Sequence, residues 1–353
     1  ENGLALTYPV SDFPQGEETT ISAVVTDPAG NTSLPGSGSA TLDTIVPGDT
    51  TGDGVADSAP TVTITEDTDG DGYINASELN GDIDVTIDLP ANTAVGDTLS
   101  VTNPDGTTTD YPVDQDMIEN GLALTYPVSD FPQGEETTIS AVVTDPAGNT
   151  SLPGSGSATL DTTVPGDTTG DGVADSAPTV TITEDTDGDG YINASELNGD
   201  IDVTIDLPAN TAVGDTLSVT NPDGTTTDYP VDQNMIENGL ALTYPVSDFP
   251  QGEETTISAV VTDPAGNTSL PGSGSATLDT TVPGDTTGDG VADSAPTVTI
   301  TEDTDGDGYI NASELNGDID VTIDLPANTA VGDTLSVTNP DGTTTDYPVD
   351  QNM

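Results

Sequence analysis

The chain has 353 residues, 64 of them Asp or Glu, and contains no Lys, Arg, His or Cys. A formal charge of −64 without a single side-chain cation excludes a basic patch for nucleic-acid phosphates or an anionic membrane. The missing Cys and His remove disulfides, Cys-ligated zinc, a thiol nucleophile and the commonest general base, and no apolar run approaches the ~20 residues of a membrane helix.

Such a charge with 31% apolar residues would ordinarily mean disorder, but the apolar residues recur in register. The segment beginning ENGLALTYPV starts at Glu1, Glu119 and Glu237, a period of 118 residues, and the copies differ only at Ile45 (Thr163, Thr281) and Asp116 (Asn234, Asn352). That period is too long for a solenoid unit and fits one small domain per repeat. The chain opens and closes inside a repeat, and its ends match an internal junction with one Ile missing. We read it as a window from a longer array. The alternative is a true terminus whose halves complete each other between molecules by strand donation.

Read from Pro60, one repeat predicts seven short strands. Val62 and Ile64 alternate with Thr in the first, and Ile83, Val85 and Ile87 alternate with Asp and Thr in the second. Leu99 with Val101, a run ending at Val113, and Leu122, Leu124 and Tyr126 follow; Ile139, Ala141 and Val143, then Ala158 and Leu160, complete the set. Turns at Asn103–Gly106, Pro132–Gly134 and Asp145–Gly148 carry the Pro and Gly that such reversals need. Seven strands in about 100 residues predict an all-β chain of tandem immunoglobulin-like β-sandwiches, arranged end to end as a rod. The expected division is 1–45, the C-terminal part of a repeat; 46–60, a linker; 61–163, a repeat; 164–178, a linker; 179–281, a repeat; 282–296, a linker; and 297–353, the N-terminal part of a repeat. The core is thin, with one Phe per repeat (Phe13, Phe131, Phe249), and roughly 21 carboxylates per repeat repel one another.

After the first strand comes a twelve-residue stretch that matches the EF-hand calcium loop position for position. Asp67, Asp69 and Asp71 stand at positions 1, 3 and 5, Gly72 at 6, the Tyr73 carbonyl at 7, Asn75 at 9 and Glu78 at 12. Alternate side chains on a tight loop converge on one point, and Ca²⁺ takes six to eight oxygens in a flexible shell. The loop recurs as Asp185, Asp187, Asp189, Tyr191, Asn193 and Glu196, and as Asp303, Asp305, Asp307, Tyr309, Asn311 and Glu314. Strands flank it, so a structural ion is expected, against the plainer reading of an acidic turn.

A second loop lies in each linker: Asp49, Thr51, Asp53, Val55 (carbonyl) and Asp57, repeated as Asp167, Thr169, Asp171, Val173 and Asp175, and as Asp285, Thr287, Asp289, Val291 and Asp293. Position 12 is Pro60, so this cage reads as incomplete. The expectation is a shared site at the domain junction, completed by the adjoining repeat through Asp145 or Asn149. A flexible acidic linker is the alternative.

The stretch VTDPAGNTS followed by the LDTT-V-P junction resembles the tandem bacterial immunoglobulin-like repeats of giant type I-secreted RTX and biofilm-associated adhesins, over the whole chain. The resemblance implies extender modules stiffened by Ca²⁺ at their junctions and holding a binding tip away from the cell. It further implies Asp27, Asp145 and Asp263 of the DPAGN turn, with Asp43, Asp161 and Asp279 before the linker, as junction ligands. The EF-hand-like insertion is not part of that pattern, so its role is not implied.

The expected function is a calcium-rigidified stalk of a bacterial surface adhesin, extracellular, partnered by neighbouring repeats of the same chain. The alternative is a repeating subunit of an extracellular filament or surface layer, with identical chains as partners. A lectin-like module would want aromatic platforms beside the metal, where only Tyr73, Tyr191 and Tyr309 lie. An enzyme is not expected, because metal loops and solvated faces already account for the carboxylates.

Overall fold

The computed structural model describes residues 3–353. In unit one, which runs to Thr163 and includes Ala265–Asn267, the incomplete first repeat forms a hairpin of β1 (Glu18–Ala23) and β2 (Gly36–Thr41). The complete repeat then gives β3 (Thr61–Ile64), β4 (Tyr73–Asn75), β5 (Ile83–Asp88), β6 (Thr98–Thr102), β7 (Thr108–Pro112), α1 (Gln115–Asn120), β8 (Leu122–Tyr126), β9 (Glu136–Thr144) and β10 (Gly154–Asp161). All seven predicted strands form. The eighth, β4, is built from the EF-hand-like loop itself.

The strands make two sheets, β3-β5-β8 and β4-β10-β9-β6-β7. Period-two alternation decides what lies between them: Ile83, Val85 and Ile87 are buried from one sheet, and Leu99, Val101, Ile139, Val143 and Leu160 from the other, with Phe131 among them. Thr, Ser and Asp occupy the outward positions, which keeps the many hydroxyls and charges in water. The helix α1 is too short to show periodicity in sequence. It is set by its ends: the Asp114 carboxylate accepts the Met117 N–H at 2.9 Å, and Gly121 closes it at φ 73. Gly154, where β10 begins, lets the linker pass, since a Cβ there would stand 1.8 Å from the Pro60 carbonyl oxygen.

Unit two comprises Val164–Pro264 and Thr268–Met353. Its complete repeat, 179–279, has the same two sheets and core. Its incomplete repeat forms two hairpins, Thr297–Ile300 with Val321–Asp324 and Thr334–Thr338 with Thr344–Pro348. Val180 is 8% exposed whereas its counterpart Val298 is 61% exposed, so burial here comes from the second sheet and not from local sequence. No described helix is long and apolar enough to cross a membrane.

Candidate metal centres

The EF-hand-like loop is wound by its own backbone amides. Asp67 Oδ1 accepts the Gly70 N–H at 2.8 Å and Oδ2 the Gly72 N–H at 3.1 Å. Asp69 accepts from Asp71, and Asp71 from Tyr73. These bonds require positive φ at Gly70 and Gly72, 76° and 88°, which is why glycine stands there. Glu78 closes the ring: Oε1 accepts the Thr68 N–H at 3.1 Å and hydroxyl at 2.8 Å, and Oε2 the Asn75 N–H at 3.1 Å. Burial pushes the Glu78 carboxyl up, but these amide and hydroxyl donors outweigh it and hold the group below its ordinary value. Carboxylate oxygens of Asp67, Asp69 and Asp71 lie within 4.8 Å of one another, as do those of Asp185, Asp187 and Glu196, and those of Asp303, Asp305 and Glu314. Positions 1, 3 and 5 therefore converge in the first copy, and positions 1, 3 and 12 in the other two. Asn75 turns its Oδ1 to the N–H groups of Ser77 and Glu78, capping the turn.

The same loop is sewn into the sandwich. Tyr73, Ile74 and Asn75 pair in parallel with Thr159, Leu160 and Asp161, and the Thr159 N–H donates to the Gly72 carbonyl at 2.9 Å. Ile74, at loop position 8, has no exposed surface. Hence the loop is coupled to the last strand, just before the next linker.

The linker loop closes earlier than its spacing suggests. Asp49 Oδ1 accepts from Thr51 (3.0 Å) and Gly52 (2.6 Å), and Oδ2 from Gly54 (2.8 Å). These donors, Gly54 foremost, hold the Asp49 carboxyl below its ordinary value although the residue is buried. The same direction holds at Asp167 and Asp285. Asp57, at position 9, accepts the Thr50 N–H and hydroxyl, the task that Glu78 performs for Thr68 twelve residues into the other loop. Asp57 thus closes the hydrogen-bonded ring of this loop at position 9, without a carboxylate at position 12. The Thr51 hydroxyl faces Asp49 Oδ1 at 3.4 Å, and the Val55 N–H donates to Asp53.

The linker loop is also hydrogen-bonded to the sandwich. The Gly48 N–H donates to the Ala91 carbonyl, Asn92 Nδ2 to the Asp49 carbonyl, and the Leu152 N–H to the Ser58 carbonyl. Asn92 adopts φ 60 to do so, as do Asn210 and Asn328 at φ 59.

The hydrogen bonds of Asp145 and Asn149 go elsewhere than the expected donation into this loop. Asp145 Oδ1 accepts the Asn149 N–H at 2.8 Å, and Oδ2 accepts Asn149 Nδ2 at 2.7 Å. Asn149 Nδ2 also reaches the carbonyls of Asp43 and Ile45 at 3.5 and 3.4 Å. Asp27 and Asn31 form the same paired turn. Asp43, Asp161 and Asp279 each accept the N–H two residues ahead.

At this end of the sandwich lies a residue the spacing argument missed. Asp97 is buried, its Oδ2 accepting the Ala94 N–H at 2.8 Å. Burial, then the charges of Asp145 and Asp43, push its carboxyl above the ordinary value. Glu66, also buried, accepts the Asp84 N–H at 2.8 Å and ties the start of the EF-hand-like loop to β5. The signal was in the alternation: Glu66 follows Val62 and Ile64 in phase, Asp97 precedes Leu99 and Val101, and Asp145 follows Ala141 and Val143. Each is a carboxylate on the inward face, one step past the apolar run.

Every donor in these centres is oxygen, the chemistry of a hard divalent cation. The residues fit such an ion: in each copy of the twelve-residue loop three carboxylates bring oxygens within 4.8 Å of one another, in a chain with no Lys, Arg or His to neutralise them.

No protein-family model matches the sequence, and no curated protein matches it. Among solved structures, the Ca²⁺-stabilised adhesin that helps an Antarctic bacterium reach out and bind ice is 30% identical, over 95% of this chain and 72% of that one, with a TM-score of 0.32. The chain is similar to bacterial adhesin repeats. A structure concerning host cell surface retention of a 1.5-MDa bacterial ice-binding adhesin is 24% identical over 84% of this chain and 85% of that one, TM-score 0.28. A tetra-tandem repeat from the extending region of a large adhesion protein is 19% identical over 94% and 70%, TM-score 0.32.

Proposed function

We propose that the chain is a calcium-stabilised extending segment of a bacterial surface adhesin, working outside the cell as a spacer and carrying no catalysis. One observation carries the reading: in each copy of the twelve-residue loop three carboxylates bring oxygens within 4.8 Å of one another, in a chain that holds no side-chain cation. Charge of that kind is neutralised only by an outside partner. Calcium supplies the positive charge. Asp67, Asp69, Asp71 and Glu78 hold it in one loop, Asp49, Asp53 and Asp57 in the linker loop, and Asp43, Asp97 and Asp145 at the linker end of the sandwich. The similar adhesin is itself Ca²⁺-stabilised.

The mechanism is linkage. An ion that binds the folded state alone adds about 2.7 kcal/mol per site at a hundredfold excess over Kd. With ions bound, the linker carboxylates no longer repel and the junction stiffens; without them it flexes. Small-angle scattering and thermal unfolding with calcium and with EGTA test this. The expected result is a larger maximum dimension and a higher midpoint in calcium; values indifferent to EGTA would overturn the proposal.

A further inference from the structure

An endopeptidase recognises the side chain beside the bond it cuts, and this chain lacks most of the side chains that serve. It has no Lys or Arg for an acidic specificity pocket. An apolar pocket would take an aromatic ring, and the chain has nine Tyr, three Phe and no Trp. All three Phe and six of the Tyr stand directly before Pro, as in Tyr111-Pro112, Tyr126-Pro127 and Phe131-Pro132 of the first complete repeat. Pro carries its ring on the nitrogen of the bond to be cut and fixes φ, which obstructs seating of that bond in a protease cleft. The exceptions are Tyr73-Ile74, Tyr191-Ile192 and Tyr309-Ile310, each at positions 7 and 8 of the EF-hand-like loop.

In the complete repeats the ring beside this bond is reachable but the bond is not. Tyr73 is half-buried and Tyr191 is 52% exposed, whereas Ile74 and Ile192 have no exposed surface. A protease cleft takes the chain as a free extended strand, so Ile74 would first have to leave the core and its pairing with Leu160. The N–H groups on both sides are held by loop carboxylates: that of Tyr73 by Asp71 at 2.8 Å and that of Asn75 by Glu78 at 3.1 Å, with 2.8 Å to Asp189 and 3.0 Å to Glu196 in the second repeat. We propose that the Tyr73–Ile74 and Tyr191–Ile192 bonds are cleavage sites for an endopeptidase of aromatic specificity, guarded by the closed metal loop and offered when its cation is lost. The proposal rests on the loop binding calcium: without the ion the loop carboxylates repel one another and let go of the two N–H groups. Hydrolysis breaks the bond between the Tyr73 carbonyl carbon and the Ile74 nitrogen, with the hydroxyl of water going to the carbon and its proton to the nitrogen. Such a chain stays whole where calcium is plentiful and is cut once per repeat where calcium is scarce.

Brief digestion of the whole chain with chymotrypsin, in calcium and in EGTA, with fragments identified by mass, tests this. In EGTA new ends are expected at Tyr73 and Tyr191. With calcium at a hundredfold excess over Kd both cuts should slow by about a hundredfold, because cleavage through an opened state follows the population of that state. Tyr73→Val should abolish the first cut and keep the second. Glu78→Gln, in calcium, should release the first site and leave the second guarded. Equal rates in calcium and EGTA, first cuts at other bonds, or a Tyr73 bond as slow in Glu78→Gln as in the parent, in a chain that titration calorimetry shows to bind calcium, overturn the guard alone. A chain that binds no calcium overturns the calcium reading of the loop and the guard with it.

Discussion

Ile74 and Leu160 lie side by side in parallel register, both essentially without exposed surface, so the eighth position of an acidic loop is part of the hydrophobic core. A charged ring and an apolar anchor thus share one short segment. Ile74→Ala should destabilise its sandwich by about 2–5 kcal/mol, the range for truncating a buried Ile. Ile310→Ala, at the same loop position in the incomplete repeat where Ile310 is only half-buried, should cost much less. Denaturant unfolding of the two variants checks this; equal losses would contradict the anchoring.

Replacing both ends of the ring, Asp67→Ala with Glu78→Ala, should lower the calcium stoichiometry by one ion per altered repeat. Titration calorimetry against the parent chain reads it directly. An unchanged stoichiometry would reduce the loop to a turn.

Asp97→Asn should change sign with the metal. In EGTA the neutral amide keeps an acceptor for the Ala94 N–H and removes the repulsion from Asp145 and Asp43, so the midpoint should rise, by about 4–8 °C for each kcal/mol relieved. In calcium the same change deletes a ligand and should lower the midpoint. The two thermal scans together test the site; the same sign in both would refute it.

Acid should act on the metal-free protein in two stages. Asp97 has a raised folded pKa, so the folded state takes up its proton first, and stability rises as pH falls through that value, the gain being complete below 3.8. Asp49, Asp167 and Asp285 have lowered pKa values; the stability they confer is full above 3.8 and is lost as pH falls through their folded values. Thermal midpoints in EGTA from pH 7 to 3 should therefore climb before they drop. A monotonic fall from neutrality would show that Asp97 is not strained.

Strand positions were legible because Thr alternating with Val or Ile has one dominant reading, and the twelve-residue loop because its Gly and terminal Glu fall at fixed offsets. Asp97 and Glu66 were overlooked because their neighbours make them look like solvated acids; their phase with Leu99 and Ile64 marks them as inward. The helix α1 was missed because six residues cannot display a 3.6-residue period, and only Asp114 and Gly121 announce it.

The third copy of the acidic loop separates the two kinds of information. There, Asp303 still accepts the Gly308 N–H at 3.0 Å, Asp307 the Tyr309 N–H at 2.8 Å, and Glu314 the Asn311 N–H at 2.9 Å. The ring is a product of local sequence, since every bond in it, the closing bond from Thr304 to Glu314 included, lies within the twelve-residue loop. Residues 309–311 nevertheless form no strand, and Tyr309 is 75% exposed. A strand needs a partner's N–H and C=O groups, and in the complete repeats those come from residues more than eighty positions away. Burial of Ile74, and with it the tie between metal loop and core, is decided only when the chain has folded back on itself.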